Sequence, residues 1–221
     1  MSEKNHEHQD RRALLGGLGA AALAGVALAG TAARAQTASG RFEAQRHALD
    51  AWLDALPGTH RVFIDTDITA GGVNALRYAM NLMNSHVAAY EGSEADMAIV
   101  ICYRHASTPL GYNDALWAKY GKTFATLGRL ALKEGEAAPS ANPQMATLAA
   151  HAGKGMHFAV CNSASTMIAG VIARESGQKP EDVLAELTAN LIPNGYMVPA
   201  GVMAVTRAQE YGYSFLYSSA T

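Results

Sequence analysis

Asp96-Met97-Ala98-Ile99-Val100-Ile101-Cys102-Tyr103 decides the fold. The run is continuously apolar rather than alternating, which suits a strand buried on both faces and hence a parallel sheet with helices on each side. Upstream, Arg61-Val62-Phe63-Ile64-Asp65 reads as a second buried strand, and downstream, Met156-His157-Phe158-Ala159-Val160-Cys161 as a third. Shorter strands are expected near residues 196–198 and 213–217. Helical character fills the intervals. Residues 41–56 end at Pro57-Gly58, a strong stop. Gly71-Gly72 introduces a helix over 73–90, whose Val73, Leu76, Met80, Met83 and Val87 recur at steps of three and four and predict one buried face. Further helices are expected at 113–120, 143–152, 162–175, 180–189 and 200–211, the fourth of these opening on Pro180 with Glu181 and Asp182 in its first turn. Strand and helix alternate, so the expectation is one α/β domain over 61–221, with a mostly parallel, about five-stranded sheet and helices on both faces.

Of the 221 residues, 49% are hydrophobic and 16% charged, a composition that excludes a disordered tail, a collagen-like chain and a coiled coil. A net charge of −2 argues against a broad nucleic-acid surface, which needs clustered Lys and Arg. Residues 1–35 read as an export signal. A charged start meets Asp10-Arg11-Arg12-Ala13-Leu14-Leu15-Gly16, which resembles a twin-arginine signal, and Ala33-Arg34-Ala35 gives a small-x-small cleavage pattern before Gln36. The uncharged run over 13–33 is long enough to span a bilayer, but Ala and Gly insert weakly. A cleaved signal, a periplasmic mature protein and no stable membrane insertion are therefore expected, with residues 36–60 as a helical lead-in.

In open parallel sheets ligands bind beyond the carboxyl ends of the strands, so the loops after Asp65, Tyr103, Cys161 and Val198 should share one edge. Cys161 ends its strand just before Asn162 and Ser163, candidate caps of the next helix, whose free N–H groups favour an anion. A thiolate there could attack disulfides or persulfides, although a buried structural cysteine explains the position equally well. Cys102, inside the most apolar strand, reads as core. A Cys102–Cys161 bridge stays open, and it would silence Cys161. Arg104 and His105 leave the central strand at the same edge and could hold an oxyanion or assist proton transfer, or form an ordinary solvated loop. His157 lies about 13 Å along the strand from Cys161, too far to be its base. Asp65 and Asp67 suit capping of the following helix better than metal binding. No resident metal or cofactor is expected: His6 and His8 fall in the export segment, and Met80, Met83 and Met203 occupy core-like helical positions. Gly71-Gly72 fits neither nucleotide-binding glycine pattern.

Two stretches together resemble the DsrE/DsrF-like sulfur-relay family over roughly 61–217. His157-Phe158-Ala159-Val160-Cys161-Asn162 is similar to that family's strand ending in cysteine before a helix. Pro199-Ala200-Gly201-Val202 followed by Gln209-Glu210-Tyr211-Gly212-Tyr213 is similar to its closing segment. The resemblance implies a flavodoxin-like subunit that assembles into trimers or hexamers, which favours Tyr211, Tyr213 and Tyr217 at a subunit interface over merely covering the final strand. It also implies that Cys161 accepts sulfane sulfur as a persulfide; the residues themselves add Asn162 and Ser163 amides to stabilise the thiolate, and Arg104 or His105 to hold a donor protein or small thiol. Two features depart from the family: the export signal, since its members are mostly cytoplasmic, and the insertion-like stretch over 104–155 headed by Tyr103-Arg104-His105. A non-catalytic oligomeric module binding a small ligand or partner is the alternative.

Overall fold

The computed structural model describes residues 43–151 and 154–219. The expected export signal, and the lead-in as far as residue 42, lie outside the described residues. Five strands form one all-parallel sheet: β1 (His60–Thr66), β2 (Met97–Tyr103), β3 (Met156–Cys161), β4 (Gly195–Val198) and β5 (Ser214–Ser218), in the order β4-β3-β2-β1-β5. The helices are α1 (Ala51–Ala55), α2 (Thr69–Tyr90), α3 (Asp114–Leu127), α4 (Met145–His151), α5 (Asn162–Ser176), α6 (Pro180–Ala189) and α7 (Gly201–Glu210). This is the expected flavodoxin-like class of α/β domain.

The central strand explains the layering. All seven residues of β2 are buried, and alternate side chains enter two separate cores. Ile99, Ile101 and Tyr103 join Ile64, Phe158, Leu76 and Trp117 beneath α2, α3 and α5. Ala98, Val100 and Cys102 join Phe63, Ala159, Ala204 and Ala208 beneath α7. The residues that α7 itself buries are small, Gly201, Ala204 and Ala208. Each large side chain buried in this way contributes about 1.5–3 kcal/mol.

Handedness places the helices. From β1 to β4 the strands step in one direction, and right-handed crossovers put α2, α3, α5 and α6 on one face. The return from β4 to β5 runs the other way, so α7 takes the opposite face, packing on β1, β2 and β3.

Several local expectations are corrected. The helix expected over 41–56 is a 3-10 turn (Ala48–Asp50) followed by the short α1. Gly71 and Gly72 do not precede α2 but sit in its first turn, because a Cβ on Gly71 would stand 2.3 Å from the Ser218 carbonyl oxygen and one on Gly72 2.5 Å from a Leu110 methyl. Of the expected α2 face, Leu76 and Met83 are buried, Val73 and Met80 are half-buried, and Val87 is exposed; Ala75 and Ala79 complete the contact. Met203 is exposed rather than core. The helix expected to end at Tyr120 continues to Leu127 through a kink there, where Gly121 lets the Pro139 carbonyl cross the helix surface. The linker that follows is tied down by buried amides. Asn142 donates to the Leu110 and Tyr112 carbonyls, and Gln144 donates to the Gly72 carbonyl while accepting from the Tyr103 hydroxyl.

Candidate functional site

The chain leaves β3 towards α5 on one face and leaves β4 towards α7 on the other. The carboxyl ends of β3 and β4 therefore flank the topological switch point, the crevice where open α/β sheets hold ligands. Cys161 pairs with Val198 at that position. The Ser163 hydroxyl donates to the Pro199 carbonyl at 3.1 Å, joining the two diverging loops.

Cys161 is the N-cap of α5, and the Ala164 backbone N–H donates to its Sγ at 3.5 Å. The sulfur thus sits at the N-terminus of α5 with a backbone amide aimed at it. This corrects the expected donors: Asn162 and Ser163 are the first helical residues, not caps, and the amide that reaches the sulfur belongs to Ala164. Ser165, which sequence reasoning passed over, donates to the Cys161 carbonyl at 2.9 Å and accepts from the Tyr112 hydroxyl at 2.7 Å, fixing the peptide that carries the thiol. Cys161 is 6% exposed and belongs to neither hydrophobic cluster.

Cys102 is the contrasting thiol. It is fully buried in the α7-side core, and burial, followed by the nearby Asp65 charge, pushes its pKa well above the usual value. Both cysteines are free, so the bridge left open by the sequence is not formed.

Arg104 emerges one residue beyond the Tyr103–Val160 pair, which sets it level with Cys161 across the β2–β3 ladder. Its guanidinium is already committed. Nε donates to Asp65 Oδ1 at 2.8 Å and a terminal nitrogen to Oδ2 at 2.7 Å, with the two side chains only 15% and 5% exposed. The Asp65 hydrogen bonds raise the Arg104 pKa further. Arg104 is thus a fixed wall of the edge rather than an open anion receptor. Asp65 is its partner and not a helix cap, while Asp67 accepts from the Tyr217 hydroxyl at 2.7 Å. Ile68 occupies the N-cap of α2, without a side-chain bond. His105 is exposed, has a positive φ of 51° and opens the 3-10 segment His105–Gly111; it is not drawn into the site. His157 stacks obliquely on Tyr196, and burial lowers its pKa.

Gly201 starts α7 against this wall. A Cβ there would lie 2.6 Å from Arg104 Cβ, 3.0 Å from its Cδ and 3.2 Å from Cys102 Sγ. Gly201→Ala is expected to cost about 1–3 kcal/mol by overpacking, read as a lower urea midpoint at unchanged slope. A midpoint equal to wild type would show that α7 can back away freely.

No family model matches the chain, and no curated protein matches it. Among solved structures, a protein of unknown function from Methanobacterium thermoautotrophicum is similar at 14% identity, covering 72% of this chain and 99% of that one, with a TM-score of 0.42. A likeness of that size carries no functional argument.

Proposed function

We propose that the chain is an exported DsrE/DsrF-like protein that carries sulfane sulfur on Cys161 in the periplasm, working as a homo-oligomer with a donor protein or small thiol. The observation that supports this best is the Ala164 N–H aimed at the Cys161 sulfur, at the switch point of the sheet. The Cys161 thiol loses its proton to solvent, and the thiolate attacks a sulfane sulfur of a polysulfide or persulfidated donor. A new sulfur–sulfur bond forms at Sγ as the donor's own bond breaks, and the electron pair leaves on the donor's remaining sulfur. Transfer to an acceptor thiol repeats the exchange, with no external oxidant or reductant.

The low exposure of Cys161 favours the second reading, a binding module that performs no thiol chemistry. Incubating the native protein with polysulfide and measuring its intact mass separates the two. The carrier gains about 32 Da, one sulfur atom, which dithiothreitol removes as sulfide. Protein that stays at its original mass, and that is alkylated only after unfolding, belongs to the binding module.

A further inference from the structure

The last strand lies at the edge of the sheet, and among the described residues its only ladder partner is β1. Natural edges are usually blunted by Lys, Pro, an inward charge or a bulge. Ser214-Phe215-Leu216-Tyr217-Ser218 has no charged residue and no proline. Its first four residues are exposed although they alternate between the two faces of the sheet, so neither face is closed over.

The strand also reads almost the same in both directions. Turned about Leu216, serine falls opposite serine, aromatic opposite aromatic and leucine opposite leucine. We infer that this edge pairs antiparallel with the same edge of a second copy, about a two-fold axis through Leu216, continuing the sheet across the dimer. Isologous contacts require such self-complementarity. Phe215 of each copy then meets Tyr217 of the other on the α7 face, and the two Leu216 side chains meet on the α2 face, as directly opposed cross-strand pairs. The strand itself sets no charge opposite the second copy.

A five-residue ladder alone is small for a dimer, but the α2 face extends it. Leu216, Tyr78 and Tyr90 line one open groove of about 760 Å³ between β5 and α2. With Phe215 and Tyr217 these side chains are 38% to 77% exposed. That leaves on the order of 500 Å² of apolar surface for the mate, beside the strand backbone, against about 800 Å² per partner in a standard interface. The two-fold sets the two grooves on the same face of the joined sheet.

The pairing is independent of the thiol chemistry proposed above, and its test reads neither sulfur nor activity. In the full chain, Leu216→Cys places two thiols directly opposite at the axis, where antiparallel Cα separations of about 4.5–5.5 Å suit a disulfide. Ser214→Cys places them about 13 Å apart. Mild oxidation is expected to give a covalent dimer on non-reducing gels for Leu216→Cys, and none for Ser214→Cys or for wild type, whose own cysteines are buried. In light scattering, Leu216→Lys is expected to halve the particle mass by setting two like charges face to face. Phe215→Glu combined with Tyr217→Lys is expected to keep the assembly through crossed opposite charges. A monomeric wild type, or a trimer or larger assembly in which Leu216→Cys does not cross-link, would overturn the pairing; a hexamer that cross-links in pairs supports it.

Discussion

Cys161→Ser is expected to abolish the sulfide-releasable gain of about 32 Da after polysulfide treatment, while Cys102→Ser keeps it in full. The serine variant is the informative one because Ser is a favoured N-cap: its hydroxyl can accept the Ala164 N–H as the thiol does, so the start of α5 is kept and only the nucleophile is lost. Cys161→Ala would confuse the two effects by removing the cap at a cost of about 0.5–2 kcal/mol. Cys102 serves as the internal control. Its sulfur is sealed between the sheet and α7, and burial disfavours the thiolate, the form that attacks. An adduct that persists on Cys161→Ser, or that vanishes only with Cys102→Ser, would move the chemistry to another atom and remove the reason for assigning it to the strand end.

How far the residues foretold this arrangement depends on the range of the interaction. Strands were legible because their apolar runs are continuous and bounded, so all five appear within two residues of their expected limits. Helix ends were less so. Gly71-Gly72 looked like a boundary, yet its lack of side chains answers to Ser218 and Leu110, distant in sequence. The expected end at Tyr120 is instead a kink, where the Pro139 carbonyl crosses at Gly121 and the helix goes on to Leu127. Placing Cys161 at a strand end before a helix is a local matter, and the sequence carried it. Which amide reaches the sulfur depends on which residue caps the helix: Cys161 itself does, rather than Asn162 or Ser163, and that makes Ala164 the donor.

Partnerships across the sheet were the least visible. The pairing of Asp65 with Arg104 spans β1 and β2, and neither residue's neighbours announce it. Tyr211 and Tyr213 were expected at an interface, but both are buried against the lead-in: Tyr213 donates to the Leu53 carbonyl at 2.7 Å, and the Arg46 guanidinium lies 3.9 Å above the Tyr211 ring. Only Tyr217 of the three stays exposed. The burial of the other two depends on a chain segment more than 150 residues upstream returning to α7, as the His47 N–H bond to the Tyr211 hydroxyl records.

Asp65→Ala is expected to destabilise the fold by about 3–5 kcal/mol, the usual consequence of leaving one charge of a buried pair without its partner. Both carboxylate oxygens accept from Arg104 in a nearly closed site, so the variant strands a guanidinium between β1, β2 and the start of α7, with the Gly201 backbone packed on its stem. For a domain of this size the melting midpoint should fall by on the order of 10 °C. Two further variants separate the stranded charge from lost packing. Asp65→Leu with Arg104→Met removes both charges at similar volume and should recover much of the loss, since a buried ion pair often adds little over a hydrophobic replacement. Glu94→Ala breaks the half-exposed Lys154–Glu94 pair, whose N–O distance is the same 2.7 Å, and should cost no more than about 1 kcal/mol. Equal distances with unequal effects would locate the difference in desolvation. Were Asp65→Ala as mild as Glu94→Ala in urea unfolding, water would have to reach Arg104 in solution, and the wall assigned to the carboxyl edge would be open.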